Sequence, residues 1–122
     1  MDNNYRLLVI NVGSTSTKVG LFEGEKPTIL DTIRYSSAAL ASYPSLRAQL
    51  PHREDDLLNF FKANGIDLKT IDMIVSRGGL GKPAPAGAYR IDDAMCQDMM
   101  EGRYGKHPSA LGPVMSLNIS RR

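Results

Sequence analysis

Residues 9–18 read VINVGSTSTK. An apolar run ends in Asn11, a glycine follows, and Ser14, Thr15, Ser16 and Thr17 place hydroxyls in a row before Lys18. The stretch on either side decides the fold. Tyr5 to Asn11 is near-continuously apolar, the mark of a central strand. Lys18 to Glu23 alternates, with Val19 and Leu21 on one face and Gly20 and Phe22 on the other. Gly24 and Pro27 mark a turn, and Thr28 to Tyr35 alternates again. Three short strands joined by tight turns make an antiparallel meander.

Downstream, a Ser-rich stretch holds a short helix around 38–43. A longer helix opens at Pro51, carries Glu54 to Asp56 in its first turns, and ends at Gly65. Leu57, Leu58 and Phe61 share its apolar face. Ile71 to Ser76 is a fourth strand. A helix between it and the meander predicts parallel pairing. The class is therefore α/β: a mixed sheet of an antiparallel three-strand meander plus a parallel strand, with helices packed on it. Residues 77–87, RGGLGKPAPAG, form a long loop. Tyr89 to Ile91 is extended. Asp92 caps a helix to Glu101 that Gly102 stops, and Ser109 caps a last helix through Leu111, Met115 and Ile119.

Composition narrows the classes. The 122 residues are the size of one domain, 42% hydrophobic and 23% charged, with a net charge of +2. The basic residues are scattered, apart from Arg121 and Arg122, so nucleic acid is not the expected partner. The N-terminus shows neither a signal peptide nor a membrane span, and a cytoplasmic location is expected. Cys96 is the single cysteine. It reads as a packed thiol beside Met95 and Met99, in a reducing compartment.

Three places carry chemistry. In the opening stretch, backbone N–H groups of the Gly13-led turn can converge on an anion, the hydroxyls add donors, and Lys18 supplies a point charge. The alternative is a hairpin turn that happens to be rich in Ser and Thr. The pattern is neither a P-loop nor a dinucleotide fingerprint, because a strand follows the turn. Asn11 ends the first strand, where its carboxamide can orient a metal-bound water. Arg77 ends the fourth. Ligands collect beyond the carboxyl ends of parallel strands, so both residues are expected in one cleft, with Arg77 clamping a carboxylate or a phosphoryl group. Its alternative is a surface ion pair. His107, ahead of the last helix, can donate to a phosphoryl oxygen; its alternative is a solvent-exposed loop histidine. His52 has no role assigned.

NVGSTSTK at 11–18, VSRGGL at 75–80 and GKHPSALG at 105–112 resemble the butyrate kinases, relatives of acetate kinase in the superfamily of acetate and sugar kinases, heat-shock-70 proteins and actin. The resemblance runs along the whole chain in order. It implies a ribonuclease H-like (actin-like ATPase) domain over 1–122, cut before its last strand, with a second domain absent. It implies transfer of a phosphoryl group from ATP to a short-chain carboxylate such as butyrate, with ATP/ADP and Mg2+ as cofactors, and a homo-oligomeric parent. Carried over by position, Asn11 positions Mg2+ through water, and Gly13, Ser14, Thr15, Ser16, Thr17 and Lys18 bind phosphate. Arg77 and His107 act on the transferring group. Two positions depart from the pattern: Val12 stands where relatives carry Pro, and Ala110 where Asn is expected. The alternatives are a non-catalytic nucleotide-binding or assembly module, or a kinase for another acceptor such as a branched-chain acid or a sugar. With one wall of the cleft, the 122-residue chain alone is expected to be inactive.

Overall fold

The computed structural model describes residues 5–78 and 80–122. The leading residues 1–4 and Gly79, second of the paired glycines after Arg77, lie outside the described residues.

The four strands are β1 (Arg6–Val12), β2 (Ser16–Glu23), β3 (Lys26–Arg34) and β4 (Met73–Ser76). They form one sheet in the order β3-β2-β1-β4. β1 and β2 pair antiparallel, with Asn11 opposite Lys18, and β2 and β3 pair antiparallel in turn. β4 lies parallel to β1, with Ile10 beside Ser76. The mixed α/β sheet expected from the alternation is the one found. Gly24, at φ +60°, opens the tight β2–β3 turn. Pro27 sits in β3, an edge strand, where its missing N–H leaves no inner ladder bond unmade.

The helices are α1 (Ser37–Ala41), α2 (Leu46–Ala63), α3 (Asp93–Glu101) and α4 (Leu111–Ser120). Leu8, Ile10 and Val12 of β1 and Val19 and Leu21 of β2 form one core with Leu57 and Phe61 of α2 and Leu111, Met115 and Ile119 of α4. The alternate residues of β4 face the other way: Met73 is 59% and Val75 40% exposed.

Two helix starts differ from the reading of the sequence. α2 begins at Leu46, not Pro51, because Ser45 Oγ accepts from the Ala48 N–H at 3.1 Å. Pro51 is left inside the helix. Similarly, the cap ahead of α4 is His107 rather than Ser109. Its ring accepts from the Ser109 N–H and opens a 3-10 turn over Pro108–Ala110 that leads into α4. Residues 89–91 join no strand. The Asp92 cap and the left-handed Gly102 stop of α3 are as expected. Cys96 is buried on α3. Burial, with Asp93 and Asp92 adding to it, pushes its thiol up, which keeps it unreactive. No helix among the described residues is long and apolar enough to cross a membrane.

Gly112 sets how closely α4 approaches β4. A Cβ there would lie 2.6 Å from Ser76 Oγ and 3.4 Å from the Arg77 carbonyl oxygen. Ser76 Oγ is itself bonded to that carbonyl, so it is not free to yield. Gly112→Ala is therefore expected to cost about 1–3 kcal/mol by overpacking, even though alanine favours the helix. A urea midpoint equal to the parent chain's would show that the helix has room to spare.

Candidate functional site

The carboxyl ends of β1 and β4 open onto a cleft of about 440 Å³. Four segments wall it. The first is the end of β1 and the turn after it: Asn11, Val12 and Gly13. The second is the start of β2, with Ser16 and Lys18. Asn11 and Lys18 are cross-strand partners, so their side chains leave the sheet on the same face. The third is Arg77, Gly78 and Leu80 after β4. The Arg77 N–H donates to the Ile10 carbonyl at 3.2 Å, which extends the β1–β4 ladder one residue and fixes where the guanidinium starts. The fourth is His107 and Ser109 at the 3-10 turn before α4.

The structure thus brings Asn11, Gly13, Ser16, Lys18, Arg77 and His107 to one cleft. Ser14 and Thr15 are exposed at the tip of the turn and do not line it. Thr17 is not in the cleft either. It is fully buried, because strand alternation starts at Ser16 and turns Thr17 inward while Lys18 turns outward. The hydroxyl run is therefore split between the turn and the strand.

His107 has a defined geometry. Its Nδ1 accepts from the Ser109 N–H at 3.0 Å and lies 2.8 Å from Ser109 Oγ. A backbone N–H only donates, so Nδ1 is the accepting nitrogen and the neutral ring carries its proton on Nε2. The ring is thereby kept as a donor at its far nitrogen.

Charge in the cleft has one sign. Lys18 and Arg77 line it, and among the described lining residues there is no carboxylate. The arrangement suits an anion with several oxygens. For a nucleotide, the residues present fit the phosphate end. For Mg2+, the described residues hold no group of three His, Cys, Asp or Glu side chains. The carboxamide of Asn11 and two serine hydroxyls are the uncharged side-chain oxygens in the lining. This donor set fits a magnesium ion that keeps its waters and arrives on phosphate oxygens, not one caged by protein.

Reading the sequence missed one residue. Arg53 on α2 is fully buried, and its guanidinium reaches the turn from beneath. The available signal was a charge in the apolar stripe: Arg53, Leu57 and Phe61 are spaced four apart, on one helix face.

The chain is similar to proteins named butyrate kinase. Over 116 residues, 95% of its length, it is 40% identical to probable butyrate kinases from two strains of Clostridium botulinum. Over the same length it is 39% identical to butyrate kinase 2 of Clostridium acetobutylicum. It spans about a third (33%) of each of these relatives. No family model matches the chain. The likeness to kinases and the mixed sheet, with three antiparallel strands and a parallel fourth, together support an actin-like ATPase fold.

Proposed function

We propose that this chain forms the phosphate-handling wall of a kinase that transfers the terminal phosphoryl group of ATP to a short-chain carboxylate, butyrate being the first candidate. A carboxylate oxygen attacks the terminal phosphorus. The bond to the bridging oxygen breaks, ADP leaves with the electron pair, and an acyl phosphate is the product. The observation that carries this reading is the cleft, without a carboxylate among its described lining residues, in which Lys18, Arg77 and His107 meet at the carboxyl ends of parallel β1 and β4.

In this reading Lys18 and Arg77 neutralise oxygen charge, and Arg77, with its planar fork, grips two oxygens at once. The Nε2–H of His107 donates to an equatorial oxygen of the transferring group. The exposed tip of the Gly13-led turn, next to the Gly13 and Ser16 wall of the cleft, receives nucleotide phosphates that extend beyond the cleft, through the N–H groups of Ser14 and Thr15. Asn11 is the residue that would hold a water of a Mg2+ ion carried in by the nucleotide, and the ion would add further charge neutralisation. The names of the relatives support the acid and the reaction class. Their length, about three times that of this chain, supports a first domain that works against a second.

The test is a panel of straight and branched acids with ATP and hydroxylamine, using the complete protein. Butyrate is expected to give the most hydroxamate, and no hydroxamate from any acid would sink the reading. The 122-residue chain alone is expected to give none, because phosphoryl transfer needs charge stabilisation from several sides. It is still expected to bind ADP, and Lys18→Ala to weaken that binding. Hydroxamate formed by the chain alone, well above its Lys18→Ala variant, would overturn the expectation of inactivity. A complete protein that binds ATP but phosphorylates no acid would point instead to a nucleotide-binding module.

A further inference from the structure

We infer that Arg53 is the positioning residue of the phosphate turn: from beneath, it holds the carbonyls of Gly13, Ser14 and Ser16 inward, so that the N–H groups of Ser14 and Thr15 are presented to an oligophosphate. The inference rests on the phosphate reading of the cleft given above.

The geometry is specific. Arg53 Nη1 donates to the Gly13 carbonyl at 3.0 Å and to the Ser16 carbonyl at 3.4 Å, and Nη2 donates to the Ser14 carbonyl at 2.8 Å. The Ser16 carbonyl also accepts from the Gly13 N–H at 2.8 Å, and the Thr15 carbonyl from the Tyr35 N–H at 2.9 Å. Every carbonyl from Gly13 to Ser16 is thus engaged by a protein donor. In a planar trans peptide the C=O and N–H point in opposite directions. With the Gly13 and Ser14 carbonyls bound to Arg53, the Ser14 and Thr15 N–H groups point away from it, on exposed residues. Successive outward N–H groups make an anion cradle.

The guanidinium itself is held. Nε donates to Gln49 Oε1 at 3.2 Å, and the carbon at its centre lies 4.9 Å from the Tyr35 ring. No carboxylate pairs with it among the described residues. A fully buried cation without an acidic partner is costly. Here carbonyl dipoles and a π face offset that cost in part, and an anion bound on the far side of the turn completes the compensation. Only a fork serves this task. One ammonium on a flexible stem cannot span three carbonyls in fixed geometry.

The test compares the isotope-labelled chain with Arg53→Lys and Arg53→Met, by amide NMR and by titration with inorganic pyrophosphate and with ADP. In both variants the core amides of Leu8, Ile10 and Val19 are expected to keep their positions. The Ser14 and Thr15 amides are expected to move, and pyrophosphate affinity to fall at least on the order of tenfold, with lysine failing to rescue it. A purely structural role would not single out those two amides. Variants with the wild-type Ser14 and Thr15 signals and wild-type affinity overturn the inference while leaving the phosphate reading intact. A wild-type chain that binds neither probe overturns the phosphate reading and this inference with it. If neither variant folds, the wild-type Arg53 side-chain N–H signals decide. Slow exchange and a shift on adding pyrophosphate support the inference, and fast exchange with no shift overturns it.

Discussion

Arg77→Ala in the complete protein is expected to lower acyl phosphate formation by about 10²–10³-fold, the usual loss when a preorganised charge-stabilising donor is removed. The backbone of Arg77 is anchored by its N–H bond to the Ile10 carbonyl, and a side-chain truncation leaves that bond in place. The side chain is exposed and makes no ion pair among the described residues, so its removal should hardly change stability. The loss should therefore appear in turnover with the melting temperature unchanged. Arg77→Lys keeps the charge but not the fork, and should fall between the two. Hydroxamate formation by Arg77→Ala within about threefold of the parent, well short of the loss a removed donor brings, would take Arg77 out of the reacting site.

Leu57→Ala is expected to destabilise the chain by about 2–5 kcal/mol, measured as a fall in urea midpoint at unchanged slope. Leu57 is fully buried between the sheet and α4, in the cluster with Leu8, Ile10 and Met115. Deleting its branched end loses transfer energy and leaves a cavity that the rigid sheet cannot close. Folded domains have only about 5–15 kcal/mol in hand, so the loss is a large part of the total. The effect should also reach the site. Arg53 lies one turn before Leu57 on the same face of α2, so a helix that shifts into the cavity carries the guanidinium with it. Phosphate binding should weaken in the variant even where it remains folded. A midpoint shift on the order of a tenth of a molar or less, the signature of a surface position, would show that α2 is not part of the core.

How far the site could be read in advance depends on how local its causes are. The Gly13 turn, Asn11 at the end of β1 and Arg77 at the end of β4 follow from short-range signals: an apolar run that stops, a glycine, a crossover helix. Parallel pairing of β1 and β4 then places Asn11 and Arg77 at one edge. The position of Thr17 was harder to read, because it depends on where β2 begins. Starting at Ser16 instead of Lys18 turns Thr17 from the cleft into the core. The early start of α2 was hidden because a proline normally opens a helix, and here a serine cap further upstream prevails.

By itself, the sequence determined the period-2 strands, the turn glycines, the order of strands and helices, and the expectation that Asn11 and Arg77 share one cleft. These are properties of neighbouring residues, and local backbone preferences suffice for them. Only the tertiary structure decided that the His107 ring caps its own turn and offers Nε2, that Gly112 brings α4 against β4, and that Arg53 grips the carbonyls of a turn some forty positions earlier. The reason is physical: a buried guanidinium meets its acceptors only when α2 has docked on the sheet, and docking is a property of the whole core.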